Sequence, residues 1–244
     1  MGLKGMLLMC AGICLAVSFA SGKTIMIEGR EAQIPPITQE VRALHLRAVG
    51  ADQVYALHLP KDLVDLNLSA NGLMLLPEDL IPAGIQRLWL AENQLLSMPR
   101  TITQWKKLTY LNLDRNLFKA LPDLSGTSLR WLRVNGNHLI QVPKLPDSLE
   151  RLYLADNQLT EFSTKPKALR QLTLANNPIE LIPEDLGCGL EELDLSGTKV
   201  KALPANLEGW RTLRVLNLAH CPLSEAEKDR LEAFFDPLKT LLIF

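Results

Sequence analysis

From residue 63 onward the chain repeats one spacing. Leu63, Leu66, Leu68, Asn71 and Leu73 recur as Ile85, Leu88, Leu90, Asn93 and Leu95, then as Leu108, Leu111, Leu113, Asn116 and Phe118. Further copies start at Leu129, Leu149, Leu169, Leu190 and Leu213, and a degenerate first copy at Val41 makes nine units of 20 to 23 residues. A period of this length means that each unit is one small supersecondary piece that cannot bury its apolar face alone. Within x-Leu-x-Leu-x the leucines alternate with period two, so they share one face of a short strand. Stacking coil on coil merges them into a continuous core, each fully buried leucine contributing about 1.5–3 kcal/mol. The asparagine has a different role. Leaving the strand, the backbone turns inside the core, and an inward amide satisfies groups that would otherwise cost about 1–3 kcal/mol each. Thr198 and Cys221 occupy that slot in the last two copies.

The spacing, with Leu76-Pro77, Leu121-Pro122, Ile182-Pro183 and Leu203-Pro204 closing several copies, resembles that of the leucine-rich-repeat family from Val41 to the C-terminus. The resemblance implies an α/β fold, a leucine-rich-repeat solenoid (horseshoe) with a parallel concave sheet. Its convex side is mostly irregular, 3-10 or polyproline II, and a helical cap closes the C-terminal end. The two 20-residue units that start at Leu129 and Leu149, with "VPKLP" on the convex side, look like those of the effectors that Gram-negative pathogens deliver into host cells. That likeness points to a bacterial source. Two departures qualify it: those effectors begin with a helical hairpin not visible in this sequence, and they normally lack a cleavable export signal.

An export signal is legible at residues 1–20. Lys4 supplies the positive end, residues 6–17 an apolar run too short for a comfortable membrane span, and Ser18-Phe19-Ala20 a small-x-small cleavage site. The expected organisation is a signal peptide at 1–20, an N-terminal cap at 21–40, repeats at 41–223 and a C-terminal cap helix and strand at 224–244. Ser224 is suited to N-cap that helix, with Glu225 and Glu227 in its first turn. After cleavage the chain has no membrane span and keeps only Cys188 and Cys221, whose places in the repeat argue against a disulfide.

The outward strand positions carry the candidate site. They read Asp65 and Asn67, Arg87 and Trp89, Tyr110 and Asn112, Trp131 and Arg133, Arg151 and Tyr153. Strands about 4.8 Å apart would set Trp89, Tyr110, Trp131 and Tyr153 side by side, flanked by Arg87, Arg133 and Arg151. Trp, Tyr and Arg are the residues enriched at binding hot spots. The plainer reading is that the aromatics strengthen cross-strand packing and the arginines stack on them without any partner. Glu191, Glu192 and Asp194 make one end of this face acidic; Arg42, His45 and Arg47 make the other basic. Trp105 and Trp210, three residues before a repeat's first leucine, belong instead to the core.

A net charge of −1 leaves no electrostatic footprint for nucleic acid. The four histidines, His45, His58, His138 and His220, are scattered over three repeats without metal-ligand spacing, and no nucleotide-loop, zinc-protease or serine-hydrolase motif occurs. The expectation is therefore a non-enzymatic, monomeric interaction module without cofactor or metal, exported to the periplasm or the outside. It would bind a partner protein through Arg87, Trp89, Tyr110, Trp131, Arg133, Arg151 and Tyr153. A glycan ligand and a structural envelope role are the alternatives. Asn67-Leu68-Ser69 also spells a glycosylation sequon, relevant only in a eukaryotic secretory route.

Overall fold

The computed structural model describes residues 13–19, 22–163 and 165–244. It divides into two compact units, Met1–Leu117 with Pro122–Leu129, and Phe118–Leu121 with Arg130–Phe244. Each is a leucine-rich-repeat solenoid built on a sheet whose repeat strands run parallel, with the leucines beneath it.

In the first unit the strands run in chain order: β1 (Ile13–Phe19), β2 (Gly22–Glu28), β3 (Val41–Arg47), β4 (Asp65–Asn67), β5 (Arg87–Trp89) and β6 (Tyr110–Asn112). β1 is antiparallel to β2, and every later step is parallel. Of the expected export signal, residues 1–12 and 20 lie outside the described residues, and 13–19 form β1. A one-turn helix, α1 (Ala51–Tyr55), fills the convex side of the first repeat, and a 3-10 turn at Arg100–Gln104 does so further on.

The second unit continues the same construction with β7 (Trp131–Arg133), β8 (Arg151–Tyr153), β9 (Gln171–Thr173), β10 (Glu192–Asp194) and β11 (Val215–Asn217). A helix, α2 (Glu225–Phe234), and a last parallel strand, β12 (Leu241–Ile243), follow. The 20-residue repeats have no helical turn across Val142–Pro146, where two prolines remove donors and fix extended φ. The longer repeat before β11 has room for a 3-10 turn at Glu208–Trp210.

The central leucine of each short strand, from Leu66 to Leu216, is at most 1% exposed, whereas its two neighbours face outward. Trp105 and Trp210 are buried, and the Trp210 indole donates to the Glu184 carbonyl at 2.8 Å. Between the coils the asparagines form a ladder. Asn93 Oδ1 accepts from the backbone amides of Asn71 and Leu73, while its Nδ2 donates to the Leu68 and Leu90 carbonyls. In the second unit Asn157 accepts from Leu139 and donates to Val134 and Leu154. Thr198 Oγ1 donates to the Leu195 carbonyl at 2.7 Å and lies 3.3 Å from Cys221 Sγ, and the free thiol of Cys221 lies 3.1 Å from the same carbonyl.

The residue just before each ladder position adopts a left-handed backbone: Ala70, Glu92, Arg115, Asp156, Asn176 and His220 have φ between 55° and 62°. Each side chain there costs about 1–2 kcal/mol, a cost offset by the buried bonds that the next residue makes. Gly197 holds this position in its own repeat, where a Cβ would lie 2.2 Å from Asn176 Oδ1. The C-terminal cap is fixed by the first turn of α2. Ser224 Oγ accepts from the Glu227 amide, and Glu227 reaches back to the Leu203 amide at 2.8 Å while paired to Arg230. The Arg230 hydrogen bond holds the Glu227 carboxyl below its ordinary range. Leu231 and Phe235 then cover the last coil.

Replacing Asn157 by Ala leaves the Leu139 amide and the Val134 carbonyl without this partner. Urea unfolding should show a loss of about 2–4 kcal/mol with the denaturant slope unchanged. Asn157→Thr should recover only part of it, since a hydroxyl repeats the single donation that Thr198 makes.

Candidate functional site

Because the inward leucines fix the strand register, outward residues of successive strands line up in rows. In the first unit His45, Asn67, Trp89 and Asn112 form one row, and Ala43, Asp65, Arg87 and Tyr110 another. Trp89 contacts Tyr110 diagonally, with ring centroids 4.9 Å apart, and His45 lies 5.8 Å from Trp89 on its other side. Asn67 and Asn112 do not contribute freely: each side chain accepts from its own turn, at Ser69 and Asp114. Arg87 does not flank the aromatics as an open cation. It makes a two-pronged bond to Asp65 on the adjacent strand, which raises the guanidinium further above its ordinary value.

In the sequence His45 counts with Arg42 and Arg47 toward the basic end of this face. It is half-buried between β2 and β4, and burial lowers its pKa; Asp65 pulls it back up and Arg87 adds to the lowering. The neutral imidazole therefore stacks in the folded protein. Between the lowered folded value and the ordinary 6.5, the unfolded chain binds more protons, so this contribution to stability falls as the pH drops through that window.

The second unit holds a tighter arrangement. Trp131 and Arg133 on β7 face Arg151 and Tyr153 on β8 in direct register, each aromatic opposite an arginine. The Arg151 guanidinium lies over Trp131, 4.6 Å from the ring centroid, and Arg133 lies 5.1 Å from that of Tyr153. The two rings meet across the diagonal at 6.1 Å. The Tyr153 hydroxyl donates to Gln171 Oε1 on β9 at 3.1 Å. Each exposed cation–π contact is worth about 0.5–1 kcal/mol, enough to restrict long arginine side chains before anything binds. The repeat spacing alone marks these four residues as outward but not their pairing, which follows only from the register.

The arrangement thus comprises two outward aromatic clusters, one per unit: His45, Trp89 and Tyr110 beside the Arg87–Asp65 pair, and the Trp131–Arg133–Arg151–Tyr153 checkerboard. Among the described residues no group of three or more His, Cys, Asp or Glu is placed to hold a metal ion. No described helix is long and apolar enough to cross a membrane.

A Leucine Rich Repeat family model matches residues 168–188. Keratocan of Mus musculus is 31% identical over 129 residues, which cover 46% of this chain and 37% of keratocan. Fibromodulin of Bos taurus is 32% identical over 108 residues, 42% of this chain and 28% of fibromodulin. The chain therefore spans 28–37% of the length of these curated relatives. Among solved structures, a leucine-rich-repeat protein of Leptospira interrogans superposes with a TM-score of 0.64 at 25% identity, over 84% of this chain and 61% of that one. YopM, a leucine-rich effector protein from Yersinia pestis, gives 0.64 at 27% identity over 78% and 51%. With its ladder, its parallel strands and these matches, the chain is a leucine-rich-repeat protein. Proteins of this kind generally mediate protein–protein interaction.

The His45 imidazole resonance, followed by NMR, should titrate with a midpoint below 6.5. Asp65→Asn should move it lower still, because it removes the nearby negative charge that favours the imidazolium. An unchanged or higher midpoint in that variant would contradict the electrostatics described.

Proposed function

We propose that this chain is an exported, non-enzymatic module that binds a partner protein through outward residues of its strands: Arg87, Trp89 and Tyr110 in the first unit, and Trp131, Arg133, Arg151 and Tyr153 in the second. Export through residues 1–20 would deliver it to the periplasm or the outside. The observation that carries the reading is the checkerboard on β7 and β8. Two arginines and two aromatics, each partly or fully exposed, are held in fixed contact before any partner arrives. Ordering such side chains on binding ordinarily costs about 0.5–1.5 kcal/mol each, and here much of that ordering is already done. Guanidinium groups over Trp131 and Tyr153 also cover ring faces on which a sugar would stack, which favours protein over glycan.

The test is capture from extracts of the source organism and of candidate hosts, with the chain from residue 21 onward as bait. Beside it runs a variant carrying Trp89→Ala, Tyr110→Ala, Trp131→Ala and Tyr153→Ala, shown to be folded by circular dichroism. A partner retained by the parent and lost by the variant is the expected result. Equal capture by both, or competition by free sugar, would overturn protein binding on this face.

A further inference from the structure

The second unit's sheet carries three parallel rows of outward or flanking residues, and they treat charge differently. Just before the strands, Arg130, Glu150, Arg170, Glu191 and Arg214 alternate in sign from coil to coil. Neighbours in that row pair: Arg130 with Glu150, and Arg214 with Glu191 at 4.0 Å. The next row reads Trp131, Arg151, Gln171, Glu192, Val215 and Leu241, in direct register from β7 to β12. Its cation and anion are separated by the neutral Gln171. Two strand spacings put them about 10 Å apart, beyond the reach of an ion pair. Arg151 and Glu192 are both exposed, and among the described residues neither forms a salt bridge. In the third row Asp194 is tied to its own turn, accepting from the Ser196 amide, and Arg133 rests on Tyr153.

The middle row is thus a strip in the order aromatic, cation, amide, anion, aliphatic, aliphatic, in which the two charges lack an ionic counterpart among the described residues. Arg151 is also the more restrained of the two, since its guanidinium rests 4.6 Å from the Trp131 ring centroid, and a guanidinium can make paired bonds to a carboxylate.

We propose that this row reads a polypeptide segment bearing an acidic and a basic side chain about 10 Å apart, the acid on Arg151 and the base on Glu192, with apolar residues outside them on Trp131 and on Val215–Leu241. The inference rests on the reading that the second unit's sheet face binds a protein, and it specifies the chemistry of that protein. Two backbones present such a pair on one side. A polyproline-II segment does so at i and i+3, about 9.3 Å, and a helix at i and i+7, about 10.5 Å. Lying across the strands, either sets the acid and the base over the two unpaired groups together.

The experiment is selection from a random displayed-peptide library on the immobilised chain, in parallel with Glu192→Lys, Arg151→Glu, and the Trp131→Ala/Tyr153→Ala double variant. The parent should enrich peptides with an acid and a base separated by two or six residues. These should bind Glu192→Lys or Arg151→Glu about tenfold more weakly, since each reversal replaces an attraction with a repulsion. Glu192→Lys should itself select peptides with two acids, and Arg151→Glu peptides with two bases. Selected peptides that ignore both charge reversals but are lost on Trp131→Ala/Tyr153→Ala would overturn the charge reading and leave sheet-face binding in place. Peptides that ignore all three variants, or no enrichment by the parent, would overturn both.

Discussion

Everything on the surface of this protein depends on the burial of an asparagine between coils. In each such repeat its amide gives hydrogen to carbonyls of two coils and accepts from a backbone amide, as Asn177 does with Leu154, Leu174 and Leu159. That bond set requires the preceding residue to turn left-handed, and residues as unsuited to it as Glu92 and Arg115 are held there. The same set fixes how far one coil is advanced on the next. Leucine burial alone is tolerant of small slips; a buried amide that must find three backbone partners is not. The ladder thereby converts apolar stacking into a single register.

Register turns sequence into surface. Because Trp131 lies opposite Arg151 and Arg133 opposite Tyr153, two three-residue strands reading Trp-Leu-Arg and Arg-Leu-Tyr become a checkerboard of stacked pairs. A slip of one residue would turn the leucines outward and the arginines into the core. The row just before the strands alternates sign and neutralises itself, while the row beside it holds its charges apart with Gln171. Neither pattern adds much to stability, since exposed ion pairs contribute about 0–1 kcal/mol. Their weight falls on which ligand fits.

Much of this is legible in the amino-acid sequence. The leucine and asparagine spacing defines the fold, and the position of Trp105 and Trp210 three residues before a repeat's first leucine marks them as core. Ser224 and its following glutamates mark the start of the last helix. Other features leave no trace in the sequence. The left-handed position carries Gly only at 136 and 197 among the ladder turns, so composition does not reveal it. Glu227 reads as an ordinary first-turn acid, yet it closes the preceding coil by accepting from Leu203. His45 sits in the degenerate first copy and reads as part of a basic end; only the register shows it beside Trp89. Arg87 reads as a free cation, and its engagement by Asp65 depends on a neighbouring strand 22 residues earlier.

The most direct test of partner binding on the sheet face is hydroxyl-radical footprinting of the chain alone and bound to the protein it captures. Outward strand residues as the contact surface predict slower oxidation of Trp131 and Tyr153 on binding, and of Trp89 and Tyr110 where the first unit also engages. Met74 and Leu96, which are 67% and 63% exposed away from the strands, should be oxidised at an unchanged rate. Protection of Met74 and Leu96 with the four aromatics unaffected would contradict it.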